Sequence, residues 1–555
     1  MSWRFGPQDT QDTTRMSEWE RATYEYAREH ALTRRKVLGL AGLGVGAALL
    51  DPLAAAQAAG STAAQGGSLI VARGQATDTL DPQKTALLVA HEIMFQIYDS
   101  IIYLDEFGRI YPGLATAWKF SPDHLTLTFK LRRGVTFHDG TPFDAHAVKF
   151  SLDRHQAKAT ASPTAYRAGP LVRVEVVDPY TVAFHYTQPF VALWVGLSYS
   201  YLAPISPTAV KKYGTLYGRN PVGTGPYKFV SWTPDETITL AKNPSHTWST
   251  SFYKDTNGSP LMRGPALDSV EFRVIPSDTT RVSALLSHEI DMIAGTNAVP
   301  DNQVTFLRKA SGIQVVQRSA VGVYYATLNT KKPPLNDVRV RQAINYGVDK
   351  EKLIKLAVGG QGKPATSLVA SAYGDYDPNV QKYPYDLAKA KALLKAAGAD
   401  KGFSVDYLNI EGPEFDLVAQ SVQEDLSKLG ITMKITSVPV AQWAATGQTQ
   451  KPAIGFIYYT YSDPDVVVLL AQTGSPFEWT YHGDKTLDAW LLAQRVEFNP
   501  AKRRAILYKI QERINKLAYY LYLWEGRYSV AARTNVKNIH IDLVGFIHAQ
   551  EITKA

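Results

Sequence analysis

Cysteine is absent from this 555-residue sequence. Its absence excludes disulfide frameworks, thiolate metal sites, cysteine nucleophiles and a lipid anchor on a cysteine. The signatures of several common chemistries are missing as well. A phosphate-cradling loop needs G-x-x-x-x-G-K-[ST]; the nearest approach, Gly362-Lys363, runs into Pro364 and has Ala357 where the first glycine belongs. Neither a G-x-S-x-G elbow nor an H-E-x-x-H zinc helix occurs. Charge of one sign is scarce: 59 basic against 51 acidic residues gives +8, mild for this length, with no polybasic tract to suggest nucleic acid. The one sustained apolar run, Val37 to Leu50, has 14 residues, whereas a bilayer span needs about 20.

What is present is ordinary globular composition, 45% hydrophobic and 20% charged, long enough for two or three compact units. Arg34 and Arg35 stand directly before the apolar run, and Ala54-Ala55-Ala56 or Ala56-Gln57-Ala58 follows as a small-residue cleavage site. Residues 1–58 therefore read as a twin-arginine export signal, and the mature protein is expected outside the cytoplasm.

The remainder mixes α and β patterns. Leu125, Leu127, Phe129 and Leu131 alternate with polar residues as a half-buried strand, Val135 to His138 reads as a returning strand, and Asp144 caps a helix from Ala145 to Arg154. Phe403 to Ile410 is a strand and Ile431 to Ile435 another. Between them a helix runs from Phe415 to Leu429, with Leu417, Val418, Val422, Leu426 and Leu429 on one face. A strand–helix–strand crossover of this kind implies parallel pairing. Asp337, Asp386 and Asn499-Pro500 begin further helices. The expected class is α/β in two lobes, the first carrying an extra antiparallel piece.

Candidates for chemistry are few. His138 beside Asp139 falls where a turn is required. Asp463-Pro464-Asp465 offers paired carboxylates for a glycosidase or hard-metal site, against a plainer role as helix-capping aspartates. A richer constellation is Ile457-Tyr458-Tyr459-Thr460-Tyr461-Ser462-Asp463, with Trp479 and Tyr481 close behind. Rigid aromatic rings with polar tips suit a small-molecule cleft, although a packed core strand accounts for them equally well.

Several segments in order resemble the family 5 solute-binding proteins of ABC importers, the group that binds dipeptides, oligopeptides and nickel chelates. They are Leu114-Ala115-Thr116-Ala117-Trp118 through Phe129-Lys130-Leu131-Arg132 to Phe137-His138-Asp139-Gly140-Thr141-Pro142, then Asn220 to Tyr227 with Asn243-Pro244. Arg281 to Asp291, Leu328-Asn329 with Asn336 to Ala343, and Tyr385-Asp386 to Gly398 extend the likeness, which runs from about Ser68 to Phe546. It implies a type II periplasmic-binding-protein fold of the large cluster. Lobe I would span 59–320 with an extra subdomain at 109–222, lobe II 321–524, and a return to lobe I 525–555. Two hinge crossings would lie near Val321 to Thr330 and Tyr519 to Tyr528. The implied function is non-enzymatic: the lobes close on a solute in the periplasm and present it to a permease driven by separate ATPases. The twin-arginine translocase would be a partner, with no cofactor, no metal and a monomeric state.

The ligand is where this sequence departs from the peptide binders it resembles. Those hold the peptide amino group with an aspartate three residues before their Asp-Pro-Asp element; here that position is Thr460. Their arginine for the peptide carboxylate precedes the helix that matches Phe415 to Leu429; here the loop Asn409-Ile410-Glu411-Gly412-Pro413-Glu414 has none. A free zwitterionic dipeptide is therefore expected to be a poor ligand. A neutral or cationic solute stacked on Tyr458, Tyr459, Tyr461 or Trp479 fits better, with Glu411 or Asp463 meeting a positive group: an oligosaccharide, a blocked peptide or an opine-like compound. Asn409, Thr460, Tyr325 and, after the first strand, Gln75 and Thr77 complete the candidate lining. The rival readings are a secreted hydrolase using Asp463, Asp465 or Glu411, and a sensory binding module.

Overall fold

The computed structural model describes residues 66–104, 109–248, 264–459, 463–542 and 544–555. The paired arginines Arg34 and Arg35, the signal at 1–58, and the candidates Thr460 and Tyr461 lie outside these residues. Among the described residues no helix is long and apolar enough to cross a membrane.

The architecture turns on two long antiparallel strands, Ile313–Leu328 and Tyr520–Arg533. One half of the main sheet extends from one side of the pair. Met292–Ile293 pairs with Ala531 and Ala532, then come Ser68–Arg73, Ser269–Val274, Thr237–Lys242 and Tyr227–Thr233. The other half extends from the opposite side: Ile454–Tyr459 pairs with Val323 to Leu328, then come Phe403–Ile410 and Ile431–Val438. The long strands pass from one half to the other. Ile313 to Ser319 pairs with Arg527 to Arg533, and Val323 to Thr327 pairs with Tyr520 to Glu525. Between these stretches the register slips at Ala320 to Gly322, opposite Gly526, and such a bulge bends the strand that carries it.

Each half is covered on both faces, as parallel strands require. In the strand Ser68–Arg73, Leu69 and Val71 enter a core with Ile93, Met94 and Tyr98, while Ala72 enters another with Val282, Leu285 and Leu307. The strand–helix–strand unit of the second half is parallel, from Phe403↔Ile431 to Ile410↔Val438, and its helix is Pro413–Ser427. Val418, Val422 and Leu426 are buried, but Leu417 is 46% exposed; one residue rotates about 100° around a helix, which carries it off the apolar stripe.

A separate four-stranded antiparallel sheet, in the order Ala115–Phe120, Thr126–Leu131, Thr181–Tyr186 and Leu171–Asp178, forms the extra piece. Its helix Ala145–Gln156 starts as the sequence predicts, with the Asp144 side chain accepting from the Ala147 amide at 3.0 Å. The expected strand Val135 to His138 does not form; a lone bridge joins Thr136 and Pro142. Turn chemistry wins there. The Asp139 carboxylate accepts from the Thr141 amide at 3.0 Å and from the Ser206 hydroxyl at 2.6 Å, and the His138 amide is spent on the Gly223 carbonyl. This piece reaches the second half: His124 stacks on Phe498 at 4.4 Å, and the Val191 amide donates to the Arg495 carbonyl at 2.8 Å.

Candidate functional site

Cross-strand neighbours on one face of a sheet lie close enough for their rings to meet. Tyr458, Tyr324 and Trp524 occupy such positions on three adjacent strands. Tyr324 stacks on Trp524 at 4.0 Å and 8°, and on Tyr458 at 4.1 Å and 20°. Tyr324 and Trp524 are buried, while Tyr458 is half-buried at the end of the row. Gly322 makes this possible. A Cβ there would stand 2.7 Å from the Tyr458 ring, so the glycine of the bulge leaves the room that the tyrosine fills. The Tyr458 hydroxyl interacts with those of Tyr528, beyond the bulge, and Tyr324.

Carboxylates from both halves act on this row of rings through their charge. Asp301 begins a short turn of the first half, and Glu414 lies in the first turn of the helix Pro413–Ser427 in the second. Both act electrostatically on Tyr324 and Tyr458. Burial, reinforced by Glu414, pushes the Asp301 carboxyl up to about 7. Burial and Asp278 raise Glu414. Alongside them the halves touch: a Cβ on Gly359, which caps its helix in the left-handed conformation, would stand 3.2 Å from Asn302 Cα.

The neighbouring tyrosine points the other way, because successive strand residues alternate in face. Tyr459 lies 5.7 Å from Phe477, so Tyr458 and Tyr459 do not line one surface. Tyr325 is likewise corrected. It is fully buried inside the second half, edge-on to Tyr520 at 5.3 Å, because its neighbour Tyr324 takes the other face.

Trp479 is also a correction: it is core. Its indole is 1% exposed, donates to the Pro476 carbonyl at 2.9 Å, and fills a slot left by Gly447 and Gly455 beside Trp443. Neither ring face is left for a solute. Asn409 is buried and spends its amide donors on Asp416 at 3.0 Å and Ser437 at 3.2 Å, tying the helix to the two strands it connects.

Asp463 and Asp465 are engaged as well. Arg503 grips both oxygens of Asp463, Arg495 grips both of Asp465 at 2.8 Å, and Gln494 joins the two pairs. The plainer reading of these aspartates holds for one of them: the Asp463 carboxylate accepts from the Asp465 amide at 2.7 Å at the entry to the helix Val466–Ala471, whereas the Asp465 side chain makes no cap hydrogen bond. Neither carboxylate is available to a cationic solute or to hydrolysis. Glu411 is exposed, its amide held by the Val438 carbonyl. Gln75 is exposed, and Thr77 lines a crevice of the first half with Arg73 and Trp232.

Sequence reasoning missed Tyr324, Trp524, Tyr528, Asp301 and Glu414. Tyr324 and Tyr528 fell inside the expected crossings, and period-two alternation from Tyr458 would have favoured Tyr324 over Tyr325 once the pairing register was known.

A family model described as bacterial extracellular solute-binding proteins, family 5 middle, matches residues 109–481. The glutathione-binding protein GsiB of Shigella flexneri is 30% identical over 489 residues, 86% of this chain and 90% of the relative. The ABC transporter-associated periplasmic binding protein DppA from Helicobacter pylori, in complex with the peptide STSA, is similar in structure. Its TM-score is 0.73 at 27% identity, over 88% of this chain and 98% of that one. NikA from Brucella suis, in complex with Fe(III)-EDTA, gives a TM-score of 0.78 at 25% identity, over 88% and 100%.

Proposed function

The chain belongs to the bacterial extracellular solute-binding proteins of family 5, the binding components of ABC importers, and from that premise we propose which solute it carries and how it holds it. Family 5 binding proteins are non-enzymatic parts of transporters, so the step to explain is capture and release. The solute sits between the halves against Tyr458, the open end of the Tyr458–Tyr324–Trp524 row, with Asp301 and Glu414 facing it. The half-buried end of a stacked aromatic row, on which carboxylates of both halves act electrostatically, is the observation that carries the reading. Lobe limits of 59–320 and 321–524, a subdomain at 109–222 and a return at 525–555 place the hinge at the paired register slip. Export by the twin-arginine route, a periplasmic location and a monomeric state complete the proposal.

The solute class follows from charge. Leaving a buried charge unpaired costs roughly 3–5 kcal/mol, and two such losses would consume the whole of a micromolar affinity of about −8 kcal/mol. With Thr460 and the arginine-free loop 409–414 in place of both anchors, unmodified dipeptides should show no binding tighter than millimolar in calorimetry. Micromolar binding would overturn this reading. Blocked peptides, opine-like compounds and oligosaccharides are the field to search, beside the glutathione, peptide and chelate named for the similar proteins. Native mass spectrometry of the purified protein, followed by denaturing release of whatever co-purifies, identifies the solute directly.

Titration distinguishes a neutral from a cationic solute. Asp301 is raised to about 7, so its buried form holds a proton that is lost as pH rises through 7. Capture of a neutral solute should therefore weaken severalfold above pH 7 and take up protons. A cationic solute compensates the carboxylates, so its capture should hold or strengthen there. Calorimetry in two buffers of different ionisation enthalpy reads the proton count. A pH-independent affinity with no proton exchange would remove Asp301 from the site.

A further inference from the structure

The extra four-stranded piece is attached to the two halves in different ways. Toward the first half its bonds are polar and deep. Arg154 grips both oxygens of Asp81 at 3.1 and 2.6 Å, and the Gln83 side-chain amide donates to the Ser151 carbonyl at 2.8 Å. Asp81, Gln83 and Ser151 are buried. Parting them would strand a buried charge, which is strongly disfavoured, so the piece travels with the first half. Toward the second half the attachment is small. His124, in the turn between Ala115–Phe120 and Thr126–Leu131, stacks on Phe498 at 4.4 Å and 15°, and Phe120 meets the same ring edge-on at 4.8 Å. Close by in sequence to Phe498, the Arg495 carbonyl accepts from the Val191 amide at 2.8 Å, and the Arg495 guanidinium lies 5.7 Å from the Phe190 ring. Arg495 and Phe498 form the corner where the helix Lys485–Val496 gives way to Pro500–Lys516, a corner pinned by the pairing of Arg495 with Asp465. Phe120, His124 and Phe498 are each half-buried. Separating them exposes little new apolar surface and leaves no buried charge behind, so this contact can be made and broken.

We propose that the extra piece is a clasp: Phe120 and His124 catch Phe498 when the halves shut and release it when they swing apart about the register slip. The balance between shut and open forms is then set partly outside the solute cleft, by a contact that no solute touches. This rests on the hinge reading above. Two ring contacts of this kind together favour the shut form about tenfold. That is enough to bias the equilibrium of the solute-free chain and too little to lock it, which is what a binding component that must also release its load requires.

The chain has no cysteine of its own, so Arg173→Cys on the extra piece and Lys395→Cys on the second half, both exposed, place a dye pair at two defined points. Single-molecule energy transfer on the full chain, dialysed free of solute, should show a short and a long distance with the short one predominant. Phe498→Ala should lower the ratio of short to long about tenfold. Removing the partners instead, by Phe120→Ala with His124→Ala, should give the same fall, and combining all three should add nothing further. Should Phe498→Ala fail to fold, the other pair decides. A merely structural contact would lower the denaturant midpoint and leave the ratio unchanged. An unchanged ratio, or a native chain wholly at the long distance, overturns the clasp while leaving the hinge standing; a single distance in every variant removes the hinge as well.

Discussion

Trp479→Ala is expected to lower folding stability by about 3–5 kcal/mol and to do so with or without solute. The indole is 1% exposed and occupies space that two glycines keep open: a Cβ on Gly447 would stand 2.1 Å from the ring, and one on Gly455 2.7 Å. Its removal leaves a cavity between the helix Val440–Gln450 and the strand Ile454–Tyr459, both of which it braces. Filling the same slot from the other side, by Gly455→Ala, should cost about 1–3 kcal/mol through overpacking. Denaturant midpoints measure both. If Trp479→Ala instead kept its midpoint and lost solute affinity, the ring would be a stacking platform and its assignment to the core would be wrong.

Arg503→Met is expected to cost about as much, roughly 3–5 kcal/mol, because it leaves Asp463 charged and partnerless. The side chains of the pair are 11% and 15% exposed, and Arg503 also donates to the side-chain amide oxygen of Gln494 at 3.0 and 3.1 Å. The loss should reach Asp465 and Arg495 through Gln494 and loosen the contact where the Arg495 carbonyl receives the Val191 amide. Pairing Arg503→Met with Asp463→Asn should recover part of the loss, since no uncompensated charge then remains. The double variant also tests the hydrolase reading, which requires a free carboxylate at 463. Non-additivity in the double-variant cycle is the readout, and strictly additive losses would dissolve the network.

These two cases show where sequence was sufficient and where it was not. Phe403–Ile410 and the cap at Asp144 were legible because alternation and capping are local. The aromatic cluster after Ile457 was legible as a cluster, but not its division between faces, which depends on pairing with Val323 to Leu328 more than a hundred residues earlier. Trp479 looked like a cleft residue because the glycines that receive it, Gly447 and Gly455, belong to other elements. Asp463 and Asp465 looked available because Arg495 and Arg503 arrive on a later helix pair. Charge partners brought together by tertiary packing leave no periodic trace.

The long strands also dictate an order of events during synthesis. Met292 and Ile293, in the first half, find their outer neighbours at Ala531 and Ala532, and Ile313 finds Arg533. Until the strand Tyr520–Arg533 has emerged, the earlier part of the chain carries an unclosed sheet edge, the kind of surface that recruits other chains. Contacts so distant along the polypeptide also slow folding. A ribosome-bound intermediate ending before Tyr520 should therefore depend on chaperones and clump when deprived of them.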